Sequence, residues 1–264
     1  MRIVVLLKPV PDPASAGERL GPDGRLDRAA VPAVINGNDE YVLEAALKLM
    51  EAAGEGEITV LAMAPASAPE TIRKALAMGA THGVLVTDPA LEGSCVVSTS
   101  LVLAAALKTL EFDFVVAGVD SSDGQAGVVP AAVAARAGLP YLSYAARIEP
   151  DLGAGTVRVR RISPTGYDVL EAALPALISG TQALGEPRYP SLKGIMAARS
   201  KEIVTLSLAD LGLDASTVGG AVATTRVVGS RAPEARAATR MVRETPDEAA
   251  RQMVEFLVER RLVS

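Results

Sequence analysis

Between Arg2 and Lys8 the chain runs Ile-Val-Val-Leu-Leu without a polar break. That is the pattern of a strand buried on both faces of a parallel sheet. Residues 9–32 are polar and carry Gly21, Pro22 and Gly24, a connector long enough to be functional or irregular. Asn36, Gly37, Asn38 and Asp39 supply capping residues, and Val42, Ala45, Ala46 and Leu49 then recur at helical spacing. Residues 57–64 predict a second strand. Ser67-Ala68-Pro69-Glu70 reads as a capping box with proline in the first turn, opening a helix that Gly79 closes as a left-handed cap. A third strand follows at 82–87, a Val/Leu/Ala helix at 96–110 and a fourth strand at 112–117. The loop 118–127 leads into an Ala-rich helix stopped by Gly138 and Pro140. Successive strand–helix units imply an open, mostly parallel α/β sheet with right-handed crossovers, a Rossmann-like arrangement flanked by helices.

The texture changes after residue 140. Segments 141–148, 156–162 and 167–172 alternate apolar and polar residues between glycines and prolines, as antiparallel strands do, and 176–179 returns to a buried strand. Residues 203–208 form a short apolar run. Residues 215–238 are rich in Gly, Ala and Thr with little periodicity, an extended arm. Thr245-Pro246-Asp247-Glu248 is a second capping box, and Ala250, Met253, Val254, Leu257 and Val258 give the following helix one apolar stripe. The expected organisation is an α/β domain over 1–210, including the antiparallel extension, and a C-terminal arm plus helix over 211–264. Such an arm needs the domain or a partner to bury its stripe.

Composition narrows the chemistry. At 264 residues the chain has ample length for a large core. No stretch reaches the roughly 18 uncharged apolar residues of a membrane span. The N-terminal apolar run is too short for a signal peptide and meets Pro9 and Pro11, so a cytoplasmic protein without direct membrane insertion is expected. One cysteine, Cys95, excludes an internal disulfide and a cysteine-cluster metal site, and one histidine, His82, excludes His-rich metal binding. His82 reads as structural, at the start of a strand. A net charge of −5 argues against nucleic acid. Aromatics are only 3%, with no Trp and three Phe, so the chain offers little aromatic stacking to a ring ligand.

Catalytic sets are absent: no G-x-x-x-x-G-K-[ST], no strand-linked G-x-G-x-x-G, no H-E-x-x-H and no G-x-S-x-G. No catalytic residue is assigned. In an open parallel sheet, ligands sit beyond the C-terminal strand ends. The loop there with glycines, two serines and a following helix is Gly118, Val119, Asp120, Ser121, Ser122, Asp123, Gly124, Gln125, Ala126 and Gly127. Its N–H groups and hydroxyls suit a phosphate at a helix N-terminus. Asp120 and Asp123 repel one, and Asp123 has the alternative role of capping the helix. A second feature is residues 186–201. Pro187 and Pro190 stiffen its start, Ser191 to Gly194 carry turn chemistry, and Ile195 to Ala198 form a short apolar helical piece. Arg188, Lys193, Arg199 and Lys201 set four cations against one acid, Glu186. Two readings fit: a docking anchor with Leu192 at its tip, or a crossover whose Leu192, Ile195 and Met196 face the core.

The string E-P-R-Y-P-S-L-K-G-I-M-A-A-R-S-K at 186–201 resembles the recognition-loop segment of electron-transfer flavoprotein β subunits. The likeness extends to Lys8, to residues 36–40, to E-T-I-R-K-A-L-A-M-G-A at 70–80 and to L-P-A-L-I-S at 174–179, most of 1–210, with an actinobacterial flavour. The resemblance implies a heterodimer whose α subunit holds the redox-active FAD in a mobile domain. This chain would scaffold that subunit, reach it with the C-terminal arm, and bind AMP structurally. The AMP site would comprise Leu6, Asn36, Gly37, Asn38, Asp39, Met63 and the loop Gly118 to Gly127. Donor docking would fall to Glu186, Arg188, Tyr189, Leu192, Lys193, Ile195 and Met196, in the recognition loop 184–201. Electrons would pass from acyl-CoA dehydrogenases of fatty acid β-oxidation, or similar flavoprotein dehydrogenases, towards a quinone reductase. Bifurcating relatives hold a second FAD and carry D-G-D-T-A-Q-V-G-P here. The present D-G-Q-A-G-V-V-P lacks that run, which favours AMP. Two departures stand out: Arg161-Ile162-Ser163-Pro164-Thr165-Gly166 lacks the usual acidic stretch, and Gly185 replaces an Asn. A different class remains open, a stand-alone adenine-nucleotide sensor or ATP-using homodimer, although no phosphate-loop lysine supports it.

Overall fold

Strand β1 (Arg2–Leu6) is buried from Ile3 onward in a computed structural model that describes residues 1–15, 19–231, 239 and 241–263. Alternate residues feed opposite layers: Ile3, Val5 and Leu7 enter one core cluster, Val4 and Leu6 the other. The expected connector is partly folded. β2 (Pro9–Pro11) and β3 (Ala33–Ile35) pair antiparallel as a two-stranded ribbon, with prolines on strands that have one neighbour only.

The strand–helix units follow as α1 (Gly37–Ala53), β4 (Glu57–Met63), α2 (Pro69–Met78), β5 (His82–Val86), α3 (Val96–Leu107), β6 (Phe114–Gly118) and α4 (Val129–Ala137). Then come β7 (Tyr141–Asp151), β8 (Thr156–Ser163), β9 (Gly166–Ala173), β10 (Ala176–Gly180), α5 (Leu192–Ala198) and β11 (Ile203–Leu206). One nine-stranded sheet runs β11-β5-β4-β1-β6-β10-β7-β8-β9. Neighbours from β11 to β7 pair parallel, and only β7–β8 and β8–β9 pair antiparallel. β7 therefore belongs to both textures, parallel to β10 on one edge and antiparallel to β8 on the other. α1 and α2 pack in one core cluster and α3 and α4 in the other, so the sheet is covered on both faces.

Three expected helix caps are not made. Asn36, Ala68 and Thr245 occupy the N-cap positions without a side-chain cap hydrogen bond. Asn36 is buried and its amide is used elsewhere, as described below. At α2 the cap falls on Ala68, one residue past Ser67, and Pro69 fills the first turn.

The chain divides into two compact units, Met1–Val228 and Gly229–Ser264. The first extends past residue 210 because Val218 is buried and the Gly220 N–H donates to Glu92 O at 2.8 Å. The end of the expected arm, residues 232–238, lies outside the described residues. The second unit contains α6 (Pro246–Glu259), on which Met253, Val254 and Val258 are exposed. Among the described residues no helix is long and apolar enough to cross a membrane.

Phe114 on β6 is completely buried in the layer under α1. Phe114→Ala should lower unfolding stability by about 3–5 kcal/mol, read from a urea transition, because the cavity cannot fully collapse.

Candidate functional site

The strand order reverses between β1 and β6: β4 and β5 lie to one side of β1, and β6 and β10 to the other. Such a switch point leaves a crevice beyond the C-terminal strand ends. The residues after β1, before α1 and after β6 meet there.

Asn36 and Asp39 are its buried centre. Asn36 Nδ2 donates to Asp39 Oδ1 at 3.0 Å and to Asp120 O at 2.8 Å, while its Oδ1 accepts from Ser122 N at 3.1 Å. The amide that was expected to cap α1 is thus committed to the facing loop. Asp39 also accepts from Lys8 N at 2.7 Å and from the Gly118 N–H. Gly118 has to be glycine: a Cβ would lie 2.3 Å from Asp39 Oδ1. Asn38 Nδ2 donates to Asp120 Oδ1 at 2.6 Å.

The two acids that seemed to oppose a phosphate are both satisfied internally. The Asp120 carboxylate accepts from Asn38, and its backbone carbonyl from Asn36. Asp123, whose side chain is 2% exposed, takes Lys8 Nζ at 2.7 Å and Arg28 Nη2 at 2.5 Å, and Lys8 Nζ also donates to Ser121 Oγ at 3.0 Å. Burial would raise the Asp123 carboxyl, but the hydrogen bonds and charges of Lys8 and Arg28 outweigh it and hold it at about 2. Asp123 does not cap the following helix, since Val128 is the N-cap of α4 and no side chain caps it. Residues 124–128 are exposed just before it. An uncapped helix N-terminus beside exposed backbone, with Lys8 and Arg28 adjacent, fits an anionic group.

Leu6 and Met63 stand at the same strand ends, but their side chains pack with the α3–α4 core cluster. Val119 is buried, its N–H donating to Gly180 O. Arg28 escaped sequence reasoning because 95 residues separate it from Asp123. Lys8 carried a weak signal, a cation directly after a buried strand. His82 lies at the opposite strand ends, exposed, with Nε2 3.8 Å from Glu57. Cys95 is the N-cap of α3. Burial would raise its thiol, but hydrogen bonds from the Ser98 backbone and the Thr224 hydroxyl, with others, outweigh it and bring it down to about 6.

The second region is 186–201. The helix there begins at Leu192, inside the expected turn and before the expected start at Ile195, because Ser191 is its N-cap and accepts from Gly194 N at 3.0 Å. Leu192 is 77% and Tyr189 95% exposed, and Ile195 and Met196 are exposed too. These side chains are not core. Ala198 is buried against α2, and Gly194 sits so close that a Cβ would lie 2.4 Å from Ala77 O. Arg73 Nη1 donates to Ala198 O at 2.6 Å and Lys201 Nζ to Ala80 O at 2.5 Å. Arg188 turns inward onto α1.

A doubly wound sheet with a polar crevice at its switch point places the chain among the open α/β proteins, in which that crevice is the usual ligand position. The electron transfer flavoprotein domain family matches residues 23–211. The chain is 40% identical over 266 residues to the electron transfer flavoprotein subunit beta of Mycobacterium bovis, covering 99% of each chain. It is 35% identical to the subunit of that name from Clostridium acetobutylicum, covering 98% of each. It is also 34% identical over the full length of both chains to the caffeyl-CoA reductase-Etf complex subunit CarD of Acetobacterium woodii. The chain belongs to the beta-subunit family of electron transfer flavoproteins, electron carriers whose beta subunit implies an alpha-subunit companion.

Burial is the largest influence on Asp39 and pushes its carboxyl from 3.8 up to about 7, against the donors that surround it. A carboxyl with a raised folded value contributes stability that is complete below the unfolded value and is lost as pH rises through the folded one. Stability against urea should therefore fall from about pH 4 to about pH 7, and Asp39→Asn should flatten that slope. Parallel pH profiles would overturn the assignment.

Proposed function

We propose that this chain is the beta subunit of a heterodimeric electron transfer flavoprotein that serves as scaffold and docking platform, not as a catalyst. The carrying observation is the exposed Leu192 on a short helix that is capped by Ser191 and braced against α2. A large apolar side chain held out on a rigid support, with Lys193 and Arg199 exposed around it, suits brief docking of flavoprotein dehydrogenases. FAD, held mainly by the alpha subunit, supplies the electron-carrying chemistry when bound. Donors would be acyl-CoA dehydrogenases of fatty acid β-oxidation or similar flavoproteins, and the acceptor a quinone reductase, in the cytoplasm.

AMP would occupy the switch-point crevice in a structural role. The uncapped N-terminus of α4 and the exposed backbone of Gly124 to Gly127 would receive its phosphate, with Lys8 and Arg28 as the neighbouring cations. Asn36, Gly37, Asn38 and Asp39 line the other wall. The unit at 229–264, with the apolar side chains of α6 exposed, would pack on the companion subunit.

Leu192→Ala in the heterodimer should slow electron acceptance from an acyl-CoA dehydrogenase by ~tenfold or more, with flavin content and heterodimer mass unchanged. Stopped-flow flavin reduction measures it, and unaltered kinetics reject the anchor. Denaturing the purified heterodimer and separating the released nucleotides should yield one FAD and one AMP. Two FAD would assign the chain to the bifurcating class, and ATP in a homodimer would reject the proposal.

A further inference from the structure

Arg188 belongs to the docking segment by sequence, yet its guanidinium faces the chain's own interior. Nε donates to Glu44 Oε2 at 2.8 Å and Nη2 to Glu44 Oε1 at 3.1 Å. Nη1 and Nη2 also donate to the two carboxylate oxygens of Glu51, at 2.5 and 3.0 Å. The backbone N–H of Arg188 adds a bond to Glu44 Oε2 at 3.2 Å. Both acids stand on α1, seven residues apart, and so on one helix face about two turns from each other. The Glu44 side chain is 3% exposed, with Lys48 Nζ 3.5 Å away as a second cation.

A planar fork held by two carboxylates is a geometry that a lysine cannot reproduce. It fixes the start of the docking segment to α1, while Gly194, Arg73 and Lys201 fix its end to α2. Tyr189 and Leu192 stand between these supports. We propose that Glu44 and Glu51, acting through Arg188, are positioning residues for the Leu192 anchor: they set its stance before a partner arrives and touch no partner themselves. This rests on the docking function given above. An anchor already in its bound position loses less freedom on association, so loosening it weakens docking without altering the transfer step. The exposed cations left to meet an acidic partner are Lys193 and Arg199.

The test is steady-state reduction of the intact heterodimer by an acyl-CoA dehydrogenase and its acyl-CoA substrate, at varied heterodimer concentration. Glu44→Gln, Glu51→Gln and Arg188→Lys should each raise KM by on the order of fivefold to tenfold while kcat stays within about twofold. Amide hydrogen exchange across 189–198 should quicken in all three. A merely structural role would lower the active fraction, reducing kcat and leaving KM. Glu51→Gln, at a half-exposed position, guards against a folding failure at buried Glu44. Unchanged KM in these variants, beside a raised KM in Leu192→Ala, overturns this inference alone. Unchanged KM in Leu192→Ala overturns the docking function and this inference together.

Discussion

β1 has a strand hydrogen-bonded to each edge and a helical layer on each face, so no polar side chain is accommodated along its buried length. The polar groups of its neighbourhood are displaced to the strand ends. At the C-terminal end they meet the start of α1 and the loop after β6, where the reversal of strand order opens the sheet. Asp39 and Asn36 are the buried pieces of that junction, and their hydrogen bonds hold Lys8, Gly118, Asp120 and Ser122 in one arrangement. The crevice is therefore a consequence of burying β1, and its shape is set before any ligand is considered.

The parallel architecture was legible because buried strands and amphipathic helices write their periods directly into the chain. The failures share one cause. Asn36 reads as a helix cap on local pattern, yet a buried amide goes to whichever partners the tertiary fold supplies, here a carboxylate, a carbonyl and an N–H. Residues 9–32 read as an irregular connector because a three-residue ribbon is too short to show alternation. On its residues alone, before the resemblance is weighed, Leu192 stays between two readings, because exposure depends on what α2 leaves uncovered, which spacing along 186–201 does not encode. The pairing of Arg28 with Asp123 joins segments far apart in sequence and has no local signature.

Electrostatics in the loop after β6 illustrate the same point with charge. Counted along the sequence, Asp120 and Asp123 make it unfavourable for a phosphate. In the fold, Asp123 draws in Lys8 and Arg28, and Asp120 accepts from asparagine amides. Asp123 thereby gathers and orients cations at the edge of the exposed segment 124–128, where Lys8 and Arg28 each keep part of their surface in solvent. Two cations stand against the two carboxylates, so the negative charge read from the loop alone is offset by its surroundings.

α1 serves both candidate regions. Its N-terminal residues form one wall of the crevice, and Glu44 and Glu51 hold the segment that presents Leu192. The helix is packed beneath by Val42, Leu43, Ala46 and Leu47, all essentially buried. A helix so seated is a poor lever but a good datum, since packed cores resist small displacements. The proposed docking of several partners would draw on that combination: an anchor whose position is settled by the scaffold and whose affinity comes from a few exposed side chains. On the proposed function, freedom of movement would belong to the flavin-bearing companion, and this chain would supply the fixed end of the exchange.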